Sequence, residues 1–444
     1  MDSQNVSRRS FVKSAAALGL AAQALPLFNV RAQGAGKKFK VGLVGCGGRG
    51  AGSSGALANF LEAIKLIGAE AEVVGVADVF KDKAVKAGQK FGVPEAHCFD
   101  GFDGYRKILV LPVDILILAT APAFRPVHLE AAVAAGKHVF MEKPVAVDPP
   151  GARRVMAAGE FAKQKGLTIV AGTQRRHQEG YLKMAKALQD GLMGTITGGR
   201  ISWCGGALWV RAREAGQDDA HYLANNWGNF VGMSGDHICE QHVHNIDVAN
   251  WVIGKPPVSA VGFGGRARRE TGDQFDFFSL DLDYGNELHI HSMCRQINGC
   301  YGGVWEQFVG SKGTFWGGGK MQTLDGKKID LPDIKMVSGN PYVQEHVDLL
   351  NSIIGGKGLN EAQNVATSTL TAIMGRIAAY TGELVRWTDL MEKKDSPFYN
   401  LACMPVADDF EKGPVVAPPD DVVAAPGSGE KKKAAKKPAG KKGK

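Results

Sequence analysis

The chain has 444 residues, 44% of them hydrophobic, which suits two or three domains with buried cores. Its net charge of +8 is concentrated at the two ends, because residues 425–444 hold eight Lys and one Glu and residues 1–32 hold four basic residues and one Asp. The body between them has a slight acidic balance, which argues against nucleic acid as its partner, and the seven cysteines contain no CxxC pair that would indicate a disulfide scaffold.

The N-terminus has the pattern of a twin-arginine export signal. Arg8 and Arg9 lie in SRRSFVK, an Ala/Leu-rich run follows over residues 15–25, and Val30-Arg31-Ala32 is a small-residue cleavage pattern. The apolar run is about a dozen residues, short of the roughly 20 that a membrane-spanning helix needs. We therefore predict cleavage after Ala32, a periplasmic or otherwise exported protein, and no transmembrane anchor.

The first predicted strand, residues 39–44, ends in the glycine-rich turn GCGGRG and leads into an Ala-rich segment that is compatible with a helix. In a strand-turn-helix of this kind Gly45 allows the tight turn, Gly47 lets the backbone approach a pyrophosphate, and Gly50 lets helix and strand pack closely. The pattern predicts a dinucleotide site with the phosphates at the helix N-terminus.

A second strand, residues 72–76, ends at Asp78, whose carboxylate can accept hydrogen bonds from a ribose. Asp78 follows Gly50 by 28 residues, more than the usual separation of roughly 20, so the intervening helix and its exit loop are expected to be long. A carboxylate at this position favours NAD because it repels a 2′-phosphate, although Lys81 and Lys83 leave NADP open.

Helices and strands then alternate up to about residue 174. Helices are predicted to residue 91 and over 102–109, 125–135 and about 145–165, with strands at 114–118, 137–141 and 167–171. Such a series predicts a parallel sheet with ligands at the carboxyl ends of its strands. Asp78, Thr120, Lys143 and Gln174 fall at those ends, so residues 33–174 are predicted to form a Rossmann domain.

Beyond this point the pattern changes to strands with period-two alternation and turn glycines, starting near residue 195. Helices are predicted before, within and after these strands, at 181–190, 237–252, 342–354 and 362–380. Residues 175–395 are therefore predicted to form an α+β domain with a large, mostly antiparallel open sheet. A loosely attached arm, 396–424, and a disordered Lys-rich tail, 425–444, complete the chain.

The predicted helix 237–252 has the densest chemistry. Asp236, Glu240, His244 and Asp247 are spaced by four, four and three residues, which places them on one face of a helix beside the nucleotide site. A metal site is the rival interpretation, but His242 lies off this stripe and the segment has no HExxH pair, so no metal is predicted. A merely structural polar helix remains a third possibility.

Three segments, VGLVGCGGRG, ATAPAFRPVHLEAAVAAGKHVFMEKP and EQHVHNID, resemble the glucose-fructose oxidoreductase/inositol dehydrogenase family, Gfo/Idh/MocA. The resemblance implies a Rossmann domain joined to an α+β domain whose open sheet face serves as a homo-oligomer interface. It also implies NAD or NADP as cofactor and a sugar, inositol or related polyol as substrate.

Carried over to this chain, the family pattern makes Lys143 and His244 catalytic and puts Glu240 in the place of the usual aspartate of DxGxH. His242 fills the usual glycine position, which leaves the position of the acid and the width of the pocket open. The residues assigned to the cofactor are Gly45, Cys46, Gly47, Gly48, Arg49, Gly50, Asp78, Ala119, Thr120, Pro122, His128, Glu142, Lys143 and Gln174. Those assigned to the substrate are Arg175, Arg176, His177, Tyr222, Asn226 and Asp247, with Trp203, Trp209 and Asn225 as further residues typical of sugar pockets.

Oxidation of a carbinol needs a base for the hydroxyl proton and a positive group near the developing alkoxide. His244 suits the first task and Lys143 the second, while Glu240 is expected to orient His244 and stabilise its protonated form. Because an exported enzyme lacks an obvious pool of soluble cofactor, we expect the dinucleotide to stay bound through a redox-neutral cycle. The alternatives are a glycosidase that works by oxidation and elimination, and a non-catalytic sensor of dinucleotide and sugar.

Overall fold

The computed structural model describes residues 34–419. The predicted export signal, residues 1–32, and the Lys-rich tail, residues 425–444, lie outside the described residues. Within residues 34–419, none of the helices combines the length and the apolar character that crossing a bilayer requires.

The N-terminal half is built on a six-stranded sheet in which every neighbouring pair is parallel. Its strands are β1 Lys38–Val44, β2 Glu70–Asp78, β3 Cys98–Asp100, β4 Ile115–Leu118, β5 His138–Met141 and β6 Ile169–Ala171. The spatial order β3-β2-β1-β4-β5-β6 is that of a Rossmann sheet. All four residues of β4 are buried, as expected for a central parallel strand with helices on both faces. The predicted Rossmann fold is confirmed.

The connecting helices are α1 Gly48–Ala51, α2 Ala56–Leu66, α3 Lys81–Phe91, α4 Gly104–Val110, α5 Arg125–Ala134 and α6 Pro149–Gln164. The segment after the glycine turn forms two helices, because the helix is interrupted between Gly52 and Gly55. A Cβ atom on Gly52 would lie 2.2 Å from the carbonyl oxygen of Gly48, so the break depends on glycine. This extra turn accounts for the long separation between Gly50 and Asp78.

The second half forms an eight-stranded sheet. Its strands are β7 Ile196–Gly205, β8 Ser259–Gly265, β9 Phe277–Asp283, β10 His289–Gln296, β11 Gly303–Gly310, β12 Gly313–Trp316, β13 Lys320–Thr323 and β14 Val385–Arg386. The order is β13-β12-β11-β7-β10-β9-β8-β14, and every pairing is antiparallel except that of β7 with β10. Ile201, Ile290 and Phe308 are buried on one face, whereas Val261 and Phe263 are exposed on β8. The open, mostly antiparallel sheet is confirmed.

The helices of this half are α7 Glu179–Gln189, α8 Asp219–Asn225, α9 Val231–Ser234, α10 His237–Glu240, α11 Val243–Ile253, α12 Pro341–Ile354, α13 Ala362–Thr381, α14 Trp387–Met391 and α15 Ala407–Lys412. Helix α12 packs against α2, and α13 packs against α6 as well as β8 and β9. The late helices therefore join the two sheets, and the domain boundary at residues 174 and 175 stays a prediction.

The prediction of a single helix over residues 237–252 is wrong, because this segment forms two helices, α10 and α11, that are separated at Gln241 and His242. Asp236 stands before α10 with φ +72° and accepts hydrogen bonds from the hydroxyl of Tyr380 (2.7 Å) and the amide of Phe275 (3.1 Å). These distant partners turn Asp236 away from the stripe of acidic and histidine side chains that an unbroken helix would form.

The predicted loose attachment of the arm is wrong for residues 396–419. The amide of Cys403 donates to Asp148 Oδ2 (2.9 Å), and the other oxygen of this carboxylate caps α6 by accepting from the amide of Gly151. Further along, the Phe410 ring is buried against the rings of Phe102 and Phe124, at centroid distances of 5.1 and 5.0 Å. The arm is thus part of the packed structure.

Candidate active site

A cavity of about 720 Å³ lies at the carboxyl ends of β1, β2 and β4. One wall is formed by the glycine turn, by Asp78 and by the residues that follow β4. The opposite wall comes from the C-terminal half and contributes the side chains of Trp209, Arg211, Asn225 and Trp227. This is the edge of a Rossmann sheet at which nucleotides bind.

The glycine turn has the geometry that a dinucleotide requires. Gly45 has φ +97°, and a Cβ there would lie 2.5 Å from the carbonyl carbon of Ala119. A Cβ on Gly50 would lie 1.8 Å from the carbonyl oxygen of Gly45, so this glycine permits the close packing of turn and helix. Gly47 and Gly48 line the cavity and have no atom within 4 Å of a built Cβ, which leaves room for a ligand against the backbone.

Asp78 also lines the cavity, where backbone amides hold its carboxylate. Oδ2 accepts from the amide of Cys46 (2.7 Å) and Oδ1 from that of Phe80 (3.0 Å). Burial raises the pKa of Asp78, and these two hydrogen bonds oppose that rise. Of the two lysines that leave NADP open, Lys83 lines the cavity, whereas Lys81 donates to the carbonyl oxygen of Cys98 (2.8 Å) and is paired with Asp100.

Ala119, Thr120 and His128 line the cavity next to the end of β4. Arg125 fixes the backbone there by donating to the carbonyl oxygens of Leu118 and Thr120, both at 2.8 Å. Burial and the nearby Arg125 lower the pKa of His128 to about 3, so this imidazole is neutral. Pro122 is buried in a short 3₁₀ turn, Pro122–Phe124, and does not line the cavity.

Glu142 and Gln174 support the site from behind. Glu142 Oε1 lies 2.5 Å from Nε of Arg49, which lines the cavity and lies over the Tyr342 ring at 4.8 Å from its centroid. Gln174 donates to the Tyr342 hydroxyl at 3.3 Å. Neither Glu142 nor Gln174 lines the cavity. The two side chains therefore hold the base of the cofactor cleft instead of facing into it.

Lys143 and Glu240 form a nearly buried ion pair, with Nζ 3.1 Å from Oε1 and both side chains about one-tenth exposed. Lys143 also donates to the backbone carbonyl of Glu240. No described hydrogen bond joins Glu240 to His244, so the expectation that Glu240 orients the histidine is wrong. Glu240 instead positions the ammonium group of Lys143, which has three N–H donors and uses two of them here.

His244 is buried, and its Nδ1 has no hydrogen-bond partner within the described part of the chain. Its ring is stacked on the indole of Trp203, with centroids 5.7 Å apart and an interplanar angle of 23°. Burial, together with the positive charges of Lys143 and Arg175, holds the pKa of His244 well below its usual range. The imidazole is therefore neutral at pH 7 and available as a base.

Since Trp203 provides the ring contact that orients His244, we expect Trp203→Leu to lower kcat about tenfold to a hundredfold. Trp203→Phe keeps an aromatic face and is expected to retain most of the activity. The measurement is the rate of hydride transfer in a single turnover, with the amount of bound dinucleotide as a second readout. Equal rates for the leucine and phenylalanine variants would show that the stacked ring does not position the base.

The three residues that follow Gln174 were assigned to the substrate, and the structure gives them charged partners instead. Arg175 is paired with Glu306. Arg176 makes two hydrogen bonds to Asp247, at 2.8 and 2.9 Å. His177 lies 2.7 Å from Asp348, and its exposed surface is zero. Among them only Arg175 reaches the site, since its guanidinium carbon lies 5.7 Å from the centroid of the Trp203 ring.

The remaining residues assigned to the substrate are also buried. Asp247 is occupied by Arg176 and by the hydroxyl of Ser368 (2.7 Å). Asn226 accepts from the amide of Arg211 (3.0 Å) and is fully buried. Tyr222 is buried in an apolar cluster with Phe124 and Phe230. These contacts lie within the protein, and none of the three residues lines the cavity.

The possible metal ligands of the segment 237–244 point apart. His237 lies 2.9 Å from Asp236, and His242 lies 2.8 Å from the hydroxyl of Ser292. Across residues 34–419, no three or more His, Cys, Asp or Glu side chains are placed to hold one metal ion together.

Sequence reasoning missed the aromatic and basic side chains that line the cavity away from the glycine turn. They are Phe80, Lys86, Lys90, Phe102, Tyr105, Phe124, Arg211 and Trp227. Trp209 and Asn225, noted as typical of sugar pockets, line this same cavity beside the nucleotide turn. Tyr105 and Phe102 lie in the predicted helix 102–109, but nothing local in that segment shows which side chains face a ligand.

Two sequence profiles of one family match more than half of the chain. Residues 39–173 match the profile described as an oxidoreductase family with an NAD-binding Rossmann fold, and residues 181–316 match the GFO/IDH/MocA C-terminal domain. Inositol 2-dehydrogenase of Paracoccus denitrificans (strain Pd 1222) is 29% identical over 222 residues, which make up 50% of this chain and 56% of that protein. The chain spans about half the length of the curated relatives it matches.

Solved structures share the fold over a larger part of the chain. The aldose-aldose oxidoreductase from Caulobacter crescentus, complexed with glycerol, has a TM-score of 0.62 at 17% identity and covers 79% of this chain and 100% of its own. Levoglucosan dehydrogenase, complexed with NADH and levoglucosan, has a TM-score of 0.61 at 16% identity and covers 79% of this chain and 99% of its own. At these identities the likeness concerns the fold alone.

Proposed function

The chain belongs to the Gfo/Idh/MocA family of oxidoreductases with an NAD-binding Rossmann fold, and we propose that it transfers hydride between a carbinol carbon of a sugar, polyol or glycoside and a bound nicotinamide dinucleotide. The observation that carries the proposal is that Lys143 acts on a neutral His244 and directly follows Glu142, whose carboxylate lies 2.5 Å from Arg49 of the glycine turn. A curated relative that acts on inositol supports a polyol or sugar as the substrate class.

The residues of the cavity fit a dinucleotide. The open backbone at Gly47 and Gly48 leaves room for a pyrophosphate, and the carboxylate of Asp78 suits a ribose diol. Arg49 adds a positive charge at the same turn. The bound cofactor supplies the nicotinamide ring that takes up and returns the hydride.

The acid-base work falls to this chain's own side chains. As the carbinol carbon loses its hydride, the hydroxyl proton passes to His244, and the substrate oxygen becomes the oxygen of a carbonyl group. Lys143 donates a hydrogen bond to that oxygen while negative charge develops on it. In the reverse direction, protonated His244 returns the proton as the carbonyl carbon regains a hydride. Glu240 holds Lys143 in place throughout.

The pH dependence follows from the environment of His244. A base whose pKa is lowered stays neutral as the pH falls, so activity is lost only below the ordinary histidine value of 6.5. We expect the acidic limb of kcat/KM to have its midpoint below pH 6.5. The measurement is the pH profile of kcat/KM between about pH 5 and pH 9. An acidic limb centred at or above 6.5 would contradict the assignment of a buried, neutral His244 as the base.

The dinucleotide is proposed to remain bound, so that each cycle returns the hydride to a substrate or product. The cavity supports this proposal because its walls come from both halves of the chain. The predicted export signal also supports it, because an exported enzyme has no obvious pool of soluble cofactor. The test is mass spectrometry of the supernatant after purified protein is denatured. Stoichiometric NAD(H) or NADP(H) would support a resident cofactor and identify it, whereas empty protein that turns over only with added NAD would overturn this part of the proposal.

Two further features of the proposed function concern assembly and location. We expect a homo-oligomer formed through the open face of the second sheet, since Val261 and Phe263 leave apolar surface exposed there. Light scattering of wild-type protein and Phe263→Lys tests this, with dissociation expected in the variant.

Export by the twin-arginine route is tested by locating the protein in fractionated cells with and without Arg8→Lys/Arg9→Lys.

A further inference from the structure

The C-terminal arm contacts both walls of the dinucleotide cavity. The matched family profiles end at residue 316, so the arm lies beyond the part of the chain that they describe. Residues 406–417 cross from α4 of the nucleotide domain to α8, the helix that provides Asn225 to the opposite wall. The arm therefore connects two surfaces between which a ligand must pass.

On the nucleotide domain the arm contacts side chains that line the cavity. The buried Phe410 ring packs on Phe102 and Phe124, and both of these rings line the cavity. Glu411 accepts from the hydroxyl of Tyr105 (2.7 Å), another lining residue, and from Nε of Arg106 (3.0 Å). Any movement of this part of the arm therefore changes the surface that meets the ligand.

On the opposite wall the arm holds the N-terminal end of α8. The amide of Ala417 donates to Asp219 Oδ2 (2.7 Å), and Asp219 Oδ1 lies 2.7 Å from Arg213. The ring of His221 on α8 lies against the rings of Phe80 and Phe102, at centroid distances of 5.8 and 5.6 Å. Helix α8 is thus attached to the nucleotide domain directly, by the His221 ring and by Tyr222 in its cluster with Phe124, and indirectly by the arm.

We propose that residues 406–417 form a clasp that holds α8 against the nucleotide domain and slows the escape of a bound dinucleotide. Phe410 and Glu411 are positioning residues, because they act through Phe102, Phe124 and Tyr105. The proposal rests on the proposed dinucleotide site, and it gives the retention of cofactor a structural cause in this chain. Opening of the cleft then requires the arm to detach from one of its two walls.

The experiment measures the dissociation rate of NAD from protein loaded with NAD, by trapping released NAD with an excess of a second NAD-binding enzyme. Phe410→Ala is compared with Phe398→Ala, a matched control in the same arm whose ring is also buried but packs in the main core, away from the cavity. A chain ending at Cys403 is compared with one ending at Pro419. Near-ultraviolet circular dichroism establishes that each variant is folded at the temperature of the measurement.

We expect NAD to leave Phe410→Ala and the chain ending at Cys403 at least about tenfold faster than wild type, whereas the two controls keep the wild-type rate. Unchanged release from folded Phe410→Ala would overturn the clasp, and this variant decides the matter if the shorter chain does not fold. Protein that is purified empty but binds added NAD would count against a resident cofactor but not against the clasp. The clasp would still be tested by the ratio of the NAD dissociation rates of variant and wild type. Wild-type protein that binds no dinucleotide would overturn both proposals.

Discussion

Lys143→Met is expected to lower the rate of hydride transfer by about a thousandfold while the protein keeps its dinucleotide. The variant removes the N–H donor that we propose for the substrate oxygen, and it leaves the carboxylate of Glu240 without its partner. It also removes a positive charge that lowers the pKa of His244, so the residual activity is expected to have its acidic limb at higher pH. The measurement is the single-turnover rate together with the amount of bound cofactor.

The matched control is Lys335→Met, which removes an exposed lysine outside the site and is expected to leave the rate unchanged. Glu240→Gln is expected to lie between the two, because the backbone carbonyl of residue 240 still accepts a hydrogen bond from Lys143. Hydride transfer at close to the wild-type rate in Lys143→Met would remove Lys143 from the mechanism.

Arg176→Met is expected to lower the free energy of unfolding by about 3–5 kcal/mol. Arg176 and Asp247 make a two-bond ion pair whose side chains are only 8% and 2% exposed, and the substitution leaves the carboxylate buried with the hydroxyl of Ser368 as its remaining partner. The measurement is urea unfolding followed by circular dichroism. Arg176→Met/Asp247→Leu is expected to regain part of the loss, because no charge is then left unpaired.

The chain offers a matched control in Arg154 and Glu130, which form an ion pair with the same two-bond geometry, at 2.8 and 2.6 Å. Both of these side chains are 39% exposed, so Arg154→Met is expected to cost at most about 1 kcal/mol. If Arg176→Met cost no more than Arg154→Met, the buried pair would not be the structural element described above, and a direct role of Arg176 at the substrate would regain support.

Much of the nucleotide domain is predictable because its signals are local. The apolar run before Gly45 and the turn that follows it specify a strand, a glycine turn and a helix within twelve residues, Phe39 to Gly50. Lys143 and His244 were assigned by resemblance. In the structure the positive charge of Lys143 helps to lower the pKa of His244. Their catalytic roles stay predictions until they are measured.

The details that the sequence did not predict depend on contacts between distant residues. The orientation of Asp236 depends on its partners Tyr380 and Phe275, which are distant in the sequence. Spacing alone puts Glu240 one turn from His244, yet its carboxylate turns to Lys143, almost a hundred residues earlier in the chain.

The same holds for burial. The run Arg175-Arg176-His177 resembles a set of donors for substrate hydroxyls, because nothing nearby in sequence shows that Glu306, Asp247 and Asp348 neutralise it. The packing of the arm depends on Phe410 meeting rings more than 280 residues away in the sequence. The periodicity of apolar residues within a segment does not indicate which distant residues that segment will contact.

Hydride transfer to a resident cofactor is tested by mixing purified protein, with no cofactor added, with a panel of inositols, sugars and glycosides. The near-ultraviolet absorbance of reduced nicotinamide is followed. We expect rapid reduction of one equivalent of bound cofactor, followed by product in excess of the enzyme as the hydride is returned. We also expect His244→Ala to abolish the first phase. Absorbance that changes only when soluble NAD is supplied, and then in proportion to product, would contradict a resident cofactor and a redox-neutral cycle.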